Sequence, residues 1–169
     1  RKIDLNLAKV YLKEVHFKTE KYPYLFMVGM KNDSGGWELS NFGKSKNYKK
    51  VIGAKDIRCF YNESNEVSVF ESFWDYLAYL VWHRIKSLKC DVIILNGVGQ
   101  ISKCISVLNR QQYKKVYSLL DNDDSGIQAT NDIIKSHPNV VDASSFYNGY
   151  KDMNDKLLSK KSPKIYKAT

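Results

Sequence analysis

Acidic side chains follow two hydrophobic segments of this 169-residue chain. Glu71 comes directly after the segment VSVF, and Asp75 lies four residues further on. A second acidic group, DNDD, begins at Asp121 directly after the segment KVYSLL. Residues four apart share one face of a helix, and alternate residues of an extended segment project the same way, as Asp121 and Asp123 would. The spacing therefore predicts two pairs of neighbouring carboxylates.

Crowded carboxylates repel one another unless a cation neutralises them. Oxygen ligands with open positions for water suit Mg²⁺, which commonly bridges to substrate phosphates. An EF-hand calcium loop is excluded, because no Glu stands at the closing position after Asp121. We therefore predict a Mg²⁺ (or Mn²⁺) site. Its predicted ligands are Glu71, Asp75, Asp121 and Asp123.

Each acidic motif also has a purely structural interpretation. The segment DNDDSG is typical of a turn in which Asp124 or Ser125 caps the next helix. Glu71 at the start of a helix favours the helix dipole. The metal interpretation gains weight because both motifs follow strands of one α/β unit, where ligand sites form beyond the carboxyl ends of the strands.

The elements that must position these residues alternate from residue 66 onward. Strands are predicted at 67–70, 91–95, 115–120 and 140–141. Helices are predicted at 72–88, 100–108, 125–136 and 152–159. This alternation predicts an α/β fold with right-handed βαβ units and a mainly parallel four-stranded sheet flanked by helices.

The N-terminal third follows a different pattern and predicts a small α+β subdomain. A helix is predicted at 3–15, strands at 24–30, 37–39 and 57–61, a turn at 32–36, and an exposed loop at 41–55. We divide the chain into this subdomain at 1–62, an α/β domain at 63–160 and a basic tail at 161–169.

The net charge of +9 is typical either of a nucleic-acid-binding protein or of a soluble protein with a basic surface. A lysine-rich stretch between residues 44 and 55 favours phosphate binding near a metal, although a merely solvated loop stays an alternative. The predicted phosphate contacts in this stretch are Lys44, Lys46, Lys49, Lys50 and Lys55. No apolar run reaches the length of a membrane span, and the three cysteines fit neither a zinc nor a disulfide pattern, so we expect a cytoplasmic protein.

The segments VSVFESFWDYLAYL, DVIILNGVG and KVYSLLDNDDSGIQAT resemble, in this order, the motifs of the Toprim domain. That family is a Rossmann-like, Mg²⁺-binding module of DNA primases and topoisomerases. It places a Glu after its first strand, a Gly-containing turn after the second, and Asp-x-Asp after the third. The matching positions are Glu71, Asn96 and Gly97, then Asp121 and Asp123, with Gly126 as the Gly that opens the next helix. The resemblance implies catalytic roles for Glu71, Asp121 and Asp123, and supporting roles for the others.

The segment YNGYKDMND at 147–155 is similar to a Lys-Asp-x-Asn-Asp signature that closes the Toprim region of certain primases. With NDSGGWELSN at 32–41, it resembles primase-related and mobilisation proteins of Bacteroidetes plasmids and transposons. The resemblance implies that Lys151 contacts phosphate and that Asp152 adds a further acidic group. A solvated turn with a helix N-cap is the alternative. The chain departs from the usual patterns at two positions, Ser72 in place of Gly and Ser40 in place of Arg.

The resemblance implies Mg²⁺-dependent nucleotidyl or phosphoryl transfer on nucleic acid, either primase-type RNA primer synthesis or DNA processing for a mobile element. Expected partners are DNA, an RNA primer and nucleotides, with a helicase or a relaxase in addition. Two alternatives stay open: a Toprim nuclease, and a catalytically weak DNA-binding accessory in plasmid mobilisation, which Ser72 slightly favours. Because such proteins generally carry a zinc-binding domain further N-terminal, we expect the sequence to be part of a longer protein.

Overall fold

The computed structural model of the protein describes residues 2–42 and 47–159, which form two sheets. The N-terminal sheet is antiparallel, has the strand order β1-β2-β3-β4, and is preceded by a helix. Its elements are helix α1 (Leu5–Tyr11) and strands β1 (Lys13–Phe17), β2 (Leu25–Lys31), β3 (Trp37–Phe42) and β4 (Asn47–Ile52). The predicted α+β character of this subdomain is confirmed.

Two details predicted for the N-terminal sheet are wrong. The helix predicted at 3–15 ends at Tyr11, and the chain continues as β1, where Val15 pairs with Met27 of β2. The apolar residues of this segment are spaced in a way that suits both a helix and a strand. Pairing with the distant strand β2 decides that residues 13–17 form a strand. The exposed loop predicted at 41–55 contains β4, which pairs along its length with β3. The lysine-rich composition of this segment led to the prediction of a loop, although charged side chains are common on edge strands.

The second sheet has the order β5-β7-β6-β8-β9. Its strands are β5 (Arg58–Phe60), β6 (Glu66–Phe70), β7 (Asp91–Ile94), β8 (Lys115–Leu119) and β9 (Val140–Asp142). Strands β6 to β9 are mutually parallel, and β5 adds an antiparallel edge beside β7. The predicted mainly parallel four-stranded sheet is confirmed, with β5 as a fifth strand. Residues in β6 and β7 are buried almost without interruption, as expected for strands covered on both faces.

Four helices cover the two faces of this sheet: α2 (Phe73–His83), α3 (Ile101–Gln111), α4 (Asp124–Ser136) and α5 (Met153–Ser159). On one face, Leu77 of α2 and Leu157 of α5 share a core with Leu7 of α1 and Met30 of β2. On the other face, α3 and α4 pack on a separate core. The N-terminal sheet therefore packs against the α2 side of the second sheet. Helix α2 ends at His83 and is followed by the C-cap residue Arg84 in a left-handed conformation, so the prediction of a helix as far as residue 88 is too long.

Strand β5 lies before residue 62, in the part of the chain that was predicted to form the N-terminal subdomain, yet it is hydrogen-bonded to the second sheet. The division at 1–62, 63–160 and 161–169 stays a prediction, and the predicted basic tail lies outside the described residues. Among the residues described, no helix combines the length and the apolar character needed to cross a membrane.

Candidate functional site

The two predicted acidic motifs leave the second sheet at the same edge. Strands β6 and β8 are parallel neighbours, with Phe70 opposite Leu119. Glu71 follows the first of these strands, and Asp121 follows the second after one more residue. The Glu71 carboxylate accepts a hydrogen bond from the backbone N–H of Asp121. Although they are 50 positions apart in the chain, Glu71 and Asp121 are thus in direct contact.

The Glu71 side chain is held in an environment that disfavours an isolated negative charge. Its Oε2 is buried and has no hydrogen-bond partner within the described part of the chain. Burial raises the pKa of Glu71, the Asp121 N–H lowers it, and the charge of Asp123 raises it again. A buried oxygen without a donor is costly, and a bound cation would satisfy it.

Three further carboxylates form a tight group beside Glu71. One oxygen each from Asp75, Asp121 and Asp152 lies within 4.8 Å of the other two. Burial, followed by the charges of Asp75 and Glu71, raises the pKa of Asp121 to about 8. Burial and the charge of Asp152 likewise raise the pKa of Asp75, which is only 5% exposed. The carboxylates of this group repel one another, and a divalent cation would relieve this repulsion. The donor set therefore fits Mg²⁺ or Mn²⁺.

Asp123 is arranged differently from its neighbours. Its Oδ1 accepts hydrogen bonds from Ser125 Oγ at 2.6 Å and from the Gly126 N–H at 3.0 Å, which makes Asp123 the N-cap of α4. These contacts, and after them Lys151, lower the pKa of Asp123 to about 2. The structural interpretation placed the cap at Asp124 or Ser125, and the capping residue is Asp123 itself. Only its Oδ1 is used for capping, so Oδ2 still faces the site, where Lys151 contacts it.

Asp75 is oriented by two donors. Ser72 caps α2 and its Oγ donates to Asp75 Oδ2 at 2.5 Å, while the Asn154 N–H donates to Oδ1 at 3.3 Å. The second contact ties the start of α5 to α2. The Ser that stands where Gly was expected therefore fixes the position of an acidic side chain in the cluster.

Three predicted supporting residues fix the backbone around the acidic group. Gly126 lies so close to Asp121 that a β-carbon there would collide with the Asp121 carbonyl oxygen. Gly97 has a φ of 112°, a conformation open mainly to glycine, and its N–H donates to the Glu71 carbonyl at 3.1 Å. Asn96 Nδ2 donates to the Asp56 carbonyl at 2.9 Å, which joins the turn after β7 to the segment after β4.

A cleft of about 450 Å³ separates the acidic group from the N-terminal sheet. The predicted residues that line it are Glu71, Asp75, Asn96, Gly97, Asp121, Lys151 and Asp152, together with Lys49, Lys50 and Lys55 from the opposite wall. The charge of Lys49 lowers the pKa of Glu71, so the two walls interact electrostatically. Lys44 and Lys46 lie outside the described residues. One wall of the cleft is thus acidic and the other is basic.

Residues 68–157 match the family model described as Toprim-like, which covers more than half of the chain. The chain belongs to the Toprim-like family. Within the matched residues of this Toprim protein, the ends of β6, β7 and β8 bring Glu71, Gly97 and Asp121 together. Residues 1–53 match a second model, described as a domain of unknown function, DUF8464. Comparison with curated proteins finds no match.

Solved structures share the fold of this Toprim protein. The primase fragment of the bacteriophage T7 primase-helicase protein superposes with a TM-score of 0.63 and 18% identity, over 94% of this chain and 66% of that one. A structure of the bacteriophage T7 lagging-strand DNA polymerase interacting with primase domains of two gp4 subunits, bound to an RNA/DNA hybrid and dTTP, gives 0.53 and 14%, over 94% and 82%. The chain thus spans 66% of the length of the primase fragment.

The Lys-Asp pair after the Toprim sheet contacts the site from a separate loop. Lys151 Nζ lies 3.3 Å from Asp121 Oδ2 and 3.1 Å from Asp123 Oδ2. Asp152 Oδ1 accepts the Asp155 N–H at 2.7 Å, so this residue has the predicted capping contact and also belongs to the acidic group. Asp152 was predicted as a supporting residue and not as a metal ligand, because it follows a loop rather than a strand.

The basic wall of the Toprim cleft contains two residues that were not among the predicted site residues. Glu38 and Ser40 lie on β3, are 6% and 4% exposed, and line the cleft. Glu38 Oε1 accepts hydrogen bonds from Asn32 Nδ2 and the Asp56 N–H. Ser40 Oγ is buried and has no hydrogen-bond partner among residues 2–42 and 47–159. The spacing of Glu38 and Ser40 on β3 could have indicated that they face the same way, since residues two apart share a face of a strand.

Proposed function

We propose that this Toprim protein catalyses nucleotidyl or phosphoryl transfer on nucleic acid with Mg²⁺ (or Mn²⁺), and that the reaction is primase-type synthesis of an RNA primer. One observation carries the proposal: four carboxylates line one wall of a cleft whose other wall bears lysines, and a fifth, that of Asp123, lies beside them and shares the Lys151 ammonium with Asp121. These carboxylates are Glu71, Asp75, Asp121, Asp123 and Asp152. The fold shared with the T7 primase fragment favours a primase over other Toprim enzymes.

Asp75, Asp121 and Asp152 would hold a divalent cation, since their oxygens already lie within 4.8 Å of one another. Glu71 and Asp123 flank this group and supply further oxygen ligands. When bound, such a cation neutralises the triphosphate and stabilises charge on the attacking and leaving oxygens. Lys49 and Lys55 of the opposite wall would hold the phosphates of nucleotide and template against the acidic wall. Lys50 projects from the other face of β4, where its ammonium lies 5.4 Å from the centre of the Phe17 ring.

Glu71 is suited to a proton-transfer role as well as to ligation. Its raised pKa brings it closer to the working range of a general base, and its Oε2 is free to accept a proton from an attacking hydroxyl. Asp123 stays ionised because its pKa is about 2. Lys151 lines the cleft, where its side chain would contact a phosphate oxygen. The hydroxyl attacks the α-phosphate of the incoming nucleotide, and pyrophosphate leaves.

A second candidate function rests on Ser72. Its hydroxyl is bonded to Asp75 at 2.5 Å, which engages one oxygen of a predicted metal ligand. Such an engaged ligand favours a catalytically weak Toprim domain that binds DNA as an accessory in plasmid mobilisation. A Toprim nuclease that uses the same carboxylates is the third outcome that the test must separate.

Extension of a short RNA primer annealed to a DNA template tests the proposal without requiring initiation. Labelled nucleotides are supplied with Mg²⁺ or Mn²⁺, and a parallel reaction contains an end-labelled strand without nucleotides. We expect template-dependent extension that Asp121→Ala and Glu71→Gln abolish and that Asp132→Ala, on the exposed part of α4, leaves intact. Shortening of the labelled strand alone would assign a nuclease. Retained DNA affinity in Asp121→Ala, with no catalysis by the parent, would assign the accessory.

We further propose that DNA, an RNA primer and nucleotides are the substrates, that a helicase or a relaxase is a partner, and that the protein acts for a mobile element in the cytoplasm. The net charge of +9 supports a nucleic-acid partner. The T7 fragment belongs to a primase-helicase protein, which supports a helicase. The T7 polymerase structure that includes primase domains also contains an RNA/DNA hybrid and dTTP, which supports the proposed substrates.

A further inference from the structure

The ammonium of Lys151 lies between two of the predicted metal ligands. Its Nζ is 3.3 Å from Asp121 Oδ2 and 3.1 Å from Asp123 Oδ2, so a single positive charge bridges both carboxylates. These contacts, the hydrogen bond to Asp123 first, hold the pKa of Lys151 above its usual range. The ammonium occupies a bridging position that a cation shared by the two Asp side chains would also use.

The backbone of Lys151 is fastened to the loop that carries these carboxylates. The Asn122 N–H donates to the Lys151 carbonyl at 2.7 Å, and Asn122 Nδ2 donates to the Tyr150 carbonyl at 3.0 Å. Tyr147 OH, at the start of the same segment, donates to the Leu120 carbonyl at 2.6 Å. Asn122 lies between the two Asp residues, so the lysine backbone cannot separate from them without breaking these bonds.

The side chain of Lys151, in contrast, is free to move. It is 54% exposed and lines the cleft, whereas Asp121 is 11% exposed. Rotation about its side-chain bonds alone would carry the ammonium from the carboxylates into the cleft. The fixed backbone and the exposed flexible stem thus define two positions for one charge.

We propose that Lys151 and a divalent cation compete for Asp121 and Asp123, so that binding of the cation displaces the ammonium into the cleft, where substrate phosphate becomes its partner. Like charges repel at this separation, which disfavours simultaneous occupation. The inference rests on the proposed function, because it concerns the same site. It adds a coupling: displacement of the lysine by metal prepares a phosphate contact, and by linkage phosphate raises the affinity for metal.

Calorimetric titration with Mn²⁺ alone tests the competition. We expect Lys151→Met to bind Mn²⁺ about fivefold more tightly than the parent, in the range set by two partly exposed ion pairs. Lys151→Arg retains the charge and should bind no more tightly than the parent. Lys135→Met removes an exposed lysine that pairs with Asp132 on α4, and it should leave the affinity unchanged. Thermal denaturation of each variant establishes that it is folded.

Two further readouts follow the position of the ammonium. Acetylation of Lys151, measured by mass spectrometry, should accelerate about threefold when Mn²⁺ saturates the parent, while acetylation of Lys135 stays constant. Inorganic triphosphate should raise the Mn²⁺ affinity of the parent more than that of Lys151→Met.

Equal or weaker Mn²⁺ binding by Lys151→Met, with binding by the parent intact, would overturn the competition and leave the proposed function standing. A parent that binds no Mn²⁺ would overturn both. Competition without any nucleotide transfer would support the inference and remove only the primase assignment.

Discussion

Replacing Gly126 with Ala tests whether the start of α4 fixes the position of Asp121. A β-carbon at 126 would meet the Asp121 carbonyl oxygen and would lie 2.9 Å from the Asp121 nitrogen, both of which are backbone atoms. Overpacking of this kind costs about 1–3 kcal/mol. Ala is favoured over Gly in a helix by at most about 1 kcal/mol. Contact with backbone atoms lies at the upper end of this range, about 3 kcal/mol, so after subtraction of the helix preference we expect a net loss of about 2 kcal/mol in the free energy of unfolding.

A chain of this size loses about 2–4 °C of melting temperature per kcal/mol, so Gly126→Ala should melt about 4–8 °C lower. The shift of Asp121 should affect the site more strongly, because a misplacement of about 1 Å commonly costs about 100-fold in rate. Thermal denaturation followed by circular dichroism measures the first effect. Mn²⁺ calorimetry and primer extension measure the second.

Gly99→Ala is the matched control, because a β-carbon at Gly99 would have no heavy atom within 4 Å. This variant should keep the stability and the Mn²⁺ affinity of the parent. If Gly126→Ala behaves like Gly99→Ala in both measurements, the close approach of α4 does not position Asp121, and the reasoning from the glycine is refuted.

Three other perturbations test the electrostatics. The pKa of Asp121 is raised to about 8, so metal-free protein should lose stability as pH rises from about 4 towards 8. Added Mn²⁺ should reverse the loss. In urea denaturation, Asp121→Asn should reduce both effects, and the raised pKa values of Asp75 and Glu71 account for the remainder. Burial would raise the pKa of Asp56, but Lys103, at 2.8 Å, and further donors outweigh it and lower the pKa. The ionised Asp56 therefore stabilises the fold above about pH 4, and this stabilisation is lost as pH falls through the folded-state pKa of Asp56. On acidification, the urea midpoint of Asp56→Asn should fall less than that of the parent. Identical acid profiles of the variant and the parent would contradict this. Lys49→Met should weaken binding of single-stranded DNA and reduce the slope of log affinity against log salt by about 0.7, whereas Lys135→Met should change neither.

Local pattern was enough to predict the second sheet. Strands β6 to β9 are short apolar runs separated by helical periodicity, and the parallel order follows from that alternation. The carboxyl ends of parallel strands meet at one edge, so the sequence pattern already implied that Glu71 and Asp121 lie close together. A strand was predicted at 57–61 as part of the N-terminal subdomain, but its three residues in β5 carry too little periodicity to indicate that they join the second sheet.

The N-terminal sheet depended on pairings that local pattern does not contain. Strand β4 is an edge strand rich in lysine, and only its pairing with β3 distinguishes it from a loop. The packing of Met30 and Leu7 against α2 then decides that Lys49 faces the acidic wall. Charge and composition indicated a phosphate-binding stretch, and tertiary packing decided what it faces.

By itself, the sequence determined the α/β class, the edge at which the acidic motifs converge, and the residue types that suit a divalent cation. Each of these depends on neighbouring residues or on strand order, which are local properties of a chain. Only the tertiary structure decided that Asp152 joins Asp75 and Asp121 and that the Lys151 ammonium bridges Asp121 and Asp123. Those contacts require α5 and its preceding loop to dock on α2 and on the loop after β8, and docking depends on packing between residues that are distant in the chain.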